Sequence, residues 1–296
     1  MEEYRLIESS IQIKNINRDV TYNSPINFNE SMTAPRHRWF PYKEGFSPSF
    51  VRGFLNQHLK NKSGIVFDPF SGVGTTSIVA AECGLVAKGF DVSAMAIFVA
   101  NVKALNLTES EIKKFRKQME DFLKAPLKTE HTPPSNDTVI SYFEEDCLSA
   151  LLRVKYYILN IANKNFQSLF FLAFLSIIES YSTHRKAGNG VKMKMRVGYD
   201  TPNLIKQVKS SMVGLLENYC ADLQQHPLQK IPEFNIASCL NESAYDGLEQ
   251  IACVITSPPY ANCFDYSKIY LRELWLGDFY KSTDDQRLFR NASLRS

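Results

Sequence analysis

The sequence lacks the features that mark secreted, membrane-embedded and metal-binding proteins. Its six cysteines form no Cys-x-x-Cys pair, which predicts a reduced intracellular protein with neither a disulfide framework nor a metal site. The chain opens with polar and acidic residues rather than a signal peptide. The longest apolar run, residues 169–178, is too short to span a bilayer. These absences together predict a cytoplasmic protein without a membrane segment.

A large excess of charge of either sign is also absent. The 296 residues carry a formal net charge of only +3, so the total charge does not decide whether nucleic acid is a partner. A hydrophobic content of 44% and a charged content of 22% are ordinary for a globular protein. The length suits one large domain or two modest ones.

Two common phosphate-binding signatures are missing as well. The chain contains neither Gly-Lys-Ser/Thr nor a complete Gly-x-Gly-x-x-Gly. Because these patterns supply the backbone donors and the lysine that bind nucleotide phosphates, their absence argues against a P-loop and against a dinucleotide fingerprint.

The pattern of apolar residues predicts an α/β fold. Short apolar runs alternate with helical patterns in the order of a doubly wound parallel sheet, and a long helical stretch interrupts them. We expect an incomplete Rossmann-like sheet of about four parallel strands, at residues 64–68, 87–91, 233–237 and 252–255. The expected parts are an N-terminal arm (1–35), an α/β domain (36–106 and 233–296) and a helical insertion (107–232).

The first predicted strand runs into a loop rich in glycine and threonine. Residues 66–76 read Val-Phe-Asp-Pro-Phe-Ser-Gly-Val-Gly-Thr-Thr. Gly72 and Gly74 would let a ligand approach the backbone closely, and Thr76 would open a helix whose N-terminus is partly positive. This set suits a zwitterionic amino acid, with Asp68 facing its ammonium group. A Gly-x-Gly turn alone would indicate no more than an ordinary tight turn.

A second acidic residue ends the second predicted strand. Asp91 lies 23 residues after Asp68, which is the usual position of a carboxylate that binds ribose hydroxyls in such folds.

The last predicted strand ends in Thr-Ser-Pro-Pro-Tyr, residues 256–260. Consecutive prolines hold a loop rigid and, because they lack an N–H, leave carbonyl oxygens free to accept hydrogen bonds. A proline pair alone is commonly a simple loop, as expected for Pro133-Pro134. The preceding strand, the flanking Ser257 and Tyr260, and the glycine loop upstream favour a catalytic role.

The two segments together resemble motifs of the DNA amino-methyltransferases, which move a methyl group from S-adenosylmethionine (SAM) to an exocyclic base nitrogen. The first resembles the Asp-Pro-Phe-x-Gly-x-Gly-Thr-Thr cofactor motif, and the second resembles the catalytic Ser-Pro-Pro-Tyr motif. Residues 46–54 take the place of a further motif that helps to hold the methionine end of SAM. The resemblance covers the N-terminal part of such an enzyme and implies a bacterial or phage restriction–modification system.

This resemblance implies a role for each matching residue. In the family, the oxygen at the Ser257 position and the carbonyl of Pro258 accept the N–H groups of a flipped base, which stacks on Tyr260. The implied catalytic residues are Ser257, Pro258, Pro259 and Tyr260. The implied cofactor-binding residues are Phe46, Asp68, Pro69, Phe70, Gly72, Gly74, Thr75, Thr76, Asp91 and Ser238. Ser238 departs from the family, which often has an Asp there near the adenine ring.

The acceptor base is less well defined than the cofactor. Ser-headed motifs occur mostly in enzymes that methylate cytosine N4, whereas Asp- or Asn-headed motifs are more typical of adenine N6, so cytosine N4 is favoured and adenine N6 is the alternative. The chain has no Pro-Cys dipeptide, which sets aside cytosine-C5 methyltransferases because they need that cysteine as nucleophile. A protein-glutamine methyltransferase and a SAM-binding but inactive subunit are further alternatives.

A basic segment in the predicted insertion is a candidate DNA contact. Residues 184–196 hold five Lys/Arg and no acid, within a stretch predicted to be a loop over residues 183–200. Such a loop suits phosphate contact, and a solvated surface loop is the equal alternative. The predicted DNA-binding residues are Arg185, Lys186, Lys192, Lys194 and Arg196. Trp39, in a second basic cluster, is expected either to pack under the cofactor site or to touch DNA.

The predicted sheet has too few strands for a complete enzyme of this family. Its fourth strand should be central in such a sheet, and it would be left with an unpaired edge. We therefore expect a second polypeptide that completes the sheet, with self-association over that edge or a truncated chain as the alternatives. The other expected partner, implied by the resemblance, is double-stranded DNA.

Overall fold

The computed structural model describes residues 29–42, 45–59, 63–128, 132–187, 190–194, 201–258 and 266–292. Its strands are β1 (Ile65–Asp68), β2 (Val86–Asp91), β3 (His184–Ala187), β4 (Gly190–Met193), β5 (Glu233–Ile236) and β6 (Ile251–Val254). Its α-helices are α1 (Pro48–His58), α2 (Thr75–Glu82), α3 (Ala94–Lys103), α4 (Glu109–Lys124), α5 (Asp137–Ser141), α6 (Glu145–Leu159), α7 (Lys164–Ile177), α8 (Leu204–Gln225), α9 (Tyr266–Ile269), α10 (Leu271–Leu276) and α11 (Thr283–Ala292). The predicted N-terminal arm lies largely outside the described residues.

Four strands form one parallel sheet in the order β5–β2–β1–β6. β1 is central, and Val66, Phe67 and Asp68 in it are buried, as expected for a strand covered on both faces. The predicted α/β fold with about four parallel strands is therefore confirmed.

Two helices of the α/β part, α1 and α3, begin at capping serines. Ser47 accepts a hydrogen bond from the main-chain N–H of Phe50 at 3.2 Å, and Pro48 occupies the first helical position of α1. Ser93 caps α3 in the same way, through Ala96 at 3.2 Å. Because these caps satisfy N–H groups that have no partner inside the helix, they fix where each helix begins.

The sheet is covered on one side by α1 and α2, which pack on β1 and β2 through the buried side chains of Val51, Val66 and Val79. α3 packs beside them, against α2 and β5. A larger apolar cluster joins the outer side of α3 to α4, α6, α7, α8 and α10. The helical insertion therefore shares its core with the α/β part, and the division at residues 107 and 232 stays a prediction.

A buried carboxylate ties the segment before α1 to the helical layer. Asp222 in α8 accepts hydrogen bonds from the main-chain N–H of Arg36 at 2.8 Å, from the indole of Trp39 at 2.8 Å and from the guanidinium of Arg38 at 2.6 Å. Trp39 is fully buried and stacks on Tyr219 at 4.5 Å between ring centroids. The Trp39 ring therefore packs within the protein and is not a DNA contact.

The basic segment is not a loop throughout. β3 and β4 pair as an antiparallel hairpin in which Arg185 lies opposite Lys192, so the loop prediction was wrong for these two strands. Their polar sequence lacks the alternating apolar residues by which a strand is usually recognised. Near the other end of the described chain, the helical residues 266–276 are divided at Tyr270 into α9 and α10, and α11 follows them.

Candidate cofactor and catalytic site

The two special loops meet at the carboxyl ends of the neighbouring strands β1 and β6. The hydroxyl of Thr256 donates to Asp68 Oδ1 at 2.7 Å, and the hydroxyl of Thr76 donates to the carbonyl of Ile255 at 3.2 Å. The main-chain N–H of Ile255 donates to the carbonyl of Phe67 at 3.2 Å, which extends the strand pairing. Ligands of parallel α/β sheets bind at this edge, so one crevice can serve both loops.

Asp68 lies at the centre of this junction. It is only 2% exposed, and burial raises its pKa to about 6, although the hydrogen bonds from Thr256 and from the main-chain N–H of Phe70 act in the opposite direction. A nearby positive charge would stabilise the ionised carboxylate. The position therefore suits the ammonium group of an amino-acid ligand.

Asp91 ties the glycine loop to the end of β2. Its Oδ2 accepts the main-chain N–H of Gly72 at 2.9 Å, and its Oδ1 accepts the main-chain N–H of Ser93 at 2.8 Å. Burial raises the pKa of this carboxyl group against those hydrogen bonds. Each carboxylate oxygen can accept a second hydrogen bond, so Asp91 retains the capacity to bind ribose hydroxyls.

The two glycines of the loop are required by the protein itself. Gly72 and Gly74 have φ of 49° and 85°, where other residues are strained. A Cβ on Gly74 would lie 2.8 Å from the Phe234 ring and 3.0 Å from Ala100, and one on Gly72 would lie 3.1 Å from the Tyr42 ring. Side chains of the protein therefore also require these two glycines, and the expected approach of a ligand to their backbone stays a prediction.

The remaining residues of the cofactor prediction lie around the same loop. Pro69 and Phe70 are half-buried in the turn after β1, and Thr75 and Thr76 are buried at the start of α2. Phe46 is half-buried next to Phe50, in the apolar cluster that includes Ile255. These positions gather the predicted residues at one end of the sheet.

Ser238 follows β5 and lies close to Asp91. The main-chain N–H of the preceding Ala237 donates to the carbonyl of Asp91 at 3.1 Å. The Ser238 hydroxyl donates to the carbonyl of Ala292 in α11 at 3.3 Å. The position therefore borders the predicted ribose site, and its hydroxyl is held by the last described helix.

An aromatic group that packs on Phe90, the residue before Asp91, was not predicted from the sequence. Tyr245 lies edge-on to Phe90 and Phe67, with ring centroids 5.5 and 6.0 Å away, and it is partly exposed. Such a face can stack on a heterocycle. The only signal in the sequence is an aromatic residue in the connection after the third strand of the sheet, which many loops contain.

The catalytic segment is described only at its start. Ser257 is half-buried and Pro258 is exposed, immediately after Thr256. Pro259 and Tyr260 lie outside the described residues. The structure thus places Ser257 and Pro258, the two predicted acceptors for the amino group, just beyond the carboxyl end of β6.

The five predicted DNA contacts have different environments. Arg185 and Lys192 are exposed on the hairpin. Lys186 is buried and pairs with Glu273 of α10 at 2.5 Å, and Lys194 donates to main-chain carbonyls, including that of Ser180 at 3.2 Å. Arg196 lies outside the described residues. Only the first two therefore present their charge to solvent among the residues described.

The strand order, the glycine loop after β1, the acid after β2 and the proline loop after β6 define an α/β protein of the Rossmann-like methyltransferase type. None of the helices formed by the described residues is both long and apolar enough to cross a membrane.

Comparison with known proteins gives the narrower class. The type II methyltransferase M.BsoBI of Geobacillus stearothermophilus is 27% identical over 290 residues, covering 87% of this chain and 55% of that protein. M.AvaI of Nostoc sp. is 26% identical over 281 residues, covering 85% and 56%. M.MjaII of Methanocaldococcus jannaschii is 38% identical over 87 residues, covering 29% and 16%.

The chain is thus homologous to type II DNA methyltransferases, and the resemblance drawn from its two motifs is confirmed. SAM is the methyl donor of that class, so the cofactor prediction is confirmed at the same level. The chain spans about half the length of the curated relatives that it matches over most of its own length. No family model matches the chain, and no solved structure matches it.

Proposed function

We propose that the protein transfers a methyl group from SAM to the exocyclic amino group of a DNA base, with cytosine N4 as the acceptor, in a restriction–modification system of the cytoplasm. The observation that carries this proposal is the hydrogen bond of 2.7 Å between Thr256 and Asp68. It joins the loop that would hold the methyl donor to the loop that would hold the base. The relatives, which are type II methyltransferases, support the same chemistry.

The residues of the catalytic loop would act mainly by positioning. SAM supplies a methyl group on a positively charged sulfur. The acceptor nitrogen is a weak nucleophile because its lone pair is delocalised into the ring, and two acceptors aimed at its N–H groups make it more tetrahedral. Ser257 Oγ and the carbonyl oxygen of Pro258 take these roles, since preorganised acceptors lower the barrier without covalent bonding.

Two carboxylates of the protein would contact different parts of SAM. Asp68, buried at the end of β1, faces the ammonium group, and Asp91, at the end of β2, faces the ribose. Thr75, buried at the start of α2, and the partly positive N-terminus of that helix face the carboxylate group.

A pair of substitutions separates cofactor binding from catalysis. Ser257→Ala should abolish turnover but leave the affinity for SAM within about twofold, because it removes only an acceptor for the base. Asp91→Ala should weaken SAM binding first. Both are measured by equilibrium binding of labelled SAM and by methyl transfer. An equal loss of SAM affinity in the two variants would contradict these roles.

The identity of the methylated atom is tested directly. Incubation with labelled SAM and unmodified DNA of mixed sequence, followed by nucleoside analysis, should give N4-methylcytosine. N6-methyladenine would instead support the alternative base. Label on protein would support a glutamine methyltransferase, which the serine at position 257 disfavours.

The exposed side of the hairpin is the proposed DNA contact. Arg185 and Lys192 lie opposite each other on neighbouring strands, so the two charges can meet adjacent phosphates. Replacing both with Gln should weaken binding to DNA of any sequence and reduce the slope of log affinity against log salt by about 2. Lys117→Gln, on exposed α4, is the control and should change neither quantity.

The open side of β6 supports the proposed second polypeptide. Among the residues described, β6 pairs only with β1, and Ile251 and Val254 are 42% and 50% exposed. An apolar strand with one free edge is a template for another strand. Pull-down with proteins encoded beside this chain, followed by the methyl-transfer assay, should recover a partner that restores or increases turnover. A monomer that is fully active alone would refute the need for one.

A further inference from the structure

The main-chain hydrogen bonds between β1 and β6 end at Ile255, so they do not hold Thr256 and Ser257, where the proposed catalytic loop begins. The β1–β6 register reaches Phe67 and Val254, and the last main-chain hydrogen bond runs from Ile255 to the carbonyl of Phe67. Beyond that point the described link to β1 is made by a side chain, the hydroxyl of Thr256 on Asp68 Oδ1. The next residue is Ser257, the proposed acceptor.

This side-chain link has the properties of a strong anchor. Its oxygen–oxygen distance is 2.7 Å, and its acceptor is a carboxylate that is almost completely buried. Hydrogen bonds to charged groups are stronger than neutral ones, and burial strengthens them further. Since β6 has no strand on its other side among the described residues, the anchor is not duplicated there by strand pairing.

The acceptor of the anchor is also the predicted contact for SAM. Asp68 Oδ1 accepts hydrogen bonds from both Thr256 and the main-chain N–H of Phe70. Phe70 belongs to the cofactor loop. A change in the position or charge of this carboxylate therefore reaches both loops at once.

We propose that Thr256 is a positioning residue, whose hydroxyl fixes Ser257 relative to Asp68 and so transmits occupation of the cofactor site to the catalytic loop. The coupling to the cofactor site rests on the proposed function, but the hydrogen bond between Thr256 and Asp68 does not depend on it. In the wild type, a ligand held by Asp68 reduces the movement of residues 256–258. Without the Thr256 hydroxyl, Thr76 still holds the carbonyl of Ile255, but among the described contacts none then ties the start of the catalytic loop to Asp68.

Amide hydrogen exchange of the full chain tests the anchor without requiring turnover. In peptides covering residues 254–258, Thr256→Val should speed exchange about tenfold, because it removes a hydrogen bond to a charged group. Thr256→Ser, which keeps the hydroxyl, should stay within about twofold of the wild type. Thr33→Val is the control for removing an exposed threonine hydroxyl, and it should have no effect on this segment.

The same measurement with SAM tests the coupling. SAM should slow exchange of residues 254–257 in the wild type and in Thr256→Ser but not in Thr256→Val. In a chain that turns over, Thr256→Val should lower kcat about tenfold while changing KM for SAM less. Equal exchange in the Val and Ser variants, or faster exchange throughout β1 and β2 in Thr256→Val, would overturn the proposal.

A failure of the proposed function gives a different result. If SAM protects no amide of residues 68–76 in the wild type, the cofactor assignment fails. The anchor is then judged by the exchange measured without SAM.

Discussion

Replacing Asp68 with asparagine should make the protein more stable at neutral pH and at the same time weaken its proposed cofactor site. The carboxylate is buried at the junction of β1 and β6. Asparagine keeps an oxygen that can accept from Thr256 and from the main-chain N–H of Phe70, as Asp68 Oδ1 does. Its amide group can donate to the hydroxyl of Thr76. The substitution therefore removes the charge and preserves the hydrogen bonds.

The size of the effect follows from the pKa of Asp68, which burial raises from its ordinary value of 3.8 to about 6. Each pKa unit corresponds to about 1.4 kcal/mol, so ionising this group in the folded protein costs about 3 kcal/mol more than in the unfolded chain. Because the folded state holds its proton more tightly, the associated stability is present below pH 3.8 and is lost as the pH rises to about 6. The asparagine variant avoids that loss.

The assay is thermal unfolding between pH 4 and pH 8, with SAM binding measured on the same samples. Asp68→Asn should unfold at a higher temperature at pH 7.5, by about 2–4 °C per kcal/mol, and this advantage should shrink as the pH falls from 6 towards 4. Its affinity for SAM should drop, since the ammonium group loses its charged partner. Asp246→Asn, on the surface, is the control. A variant that is less stable at pH 7.5, or whose advantage does not depend on pH, would refute the reasoning.

Two further substitutions test the packing around the site. Gly74→Ala should destabilise by about 2–4 kcal/mol, from backbone strain at positive φ and overlap with Phe234. Gly53→Ala, on the exposed face of α1, should instead stabilise by about 0.5–1 kcal/mol. Urea unfolding measures both, and similar effects would contradict the steric account. Lys186→Met should destabilise by about 3–5 kcal/mol because its glutamate partner stays buried. Lys192→Met on the hairpin surface should change stability by less than about 0.5 kcal/mol, and equal losses from the two lysines would disprove the difference in burial.

The sheet could be predicted because its signals are local. β1 and β6 are apolar runs bounded by turn residues, and Ser47, Pro48 and Ser93 mark the starts of helices by capping chemistry that depends on only a few neighbours. These rules place each strand of the parallel sheet within one residue of its observed bounds. They carry no information on which strands are neighbours, and the structure shows the order to be β5–β2–β1–β6.

The contacts that build the site are long-range and left no local pattern. Thr256 and Asp68 are 188 residues apart, and Arg36 reaches Asp222 across 186. No periodic pattern in the sequence identifies the hydrogen-bond partner of such a threonine or aspartate. Gly74 was expected to leave room for a ligand, but nothing local in the sequence indicates that the ring of Phe234 lies against it as well, because Phe234 belongs to a strand that is far away in the sequence and adjacent in space.

The basic hairpin shows why charge counts alone cannot locate a DNA surface. Successive residues of a strand point to opposite faces, so Arg185 and Lys186 cannot both face solvent once β3 packs on the protein. Lys186 faces inward, beside Glu273 and over the ring of Tyr270 at 4.4 Å, whereas Arg185 faces outward opposite Lys192. The inward lysine fixes the hairpin to α10, and the outward pair is left for phosphate. In β3, therefore, Lys186 holds the hairpin in place and Arg185 forms part of the proposed DNA contact.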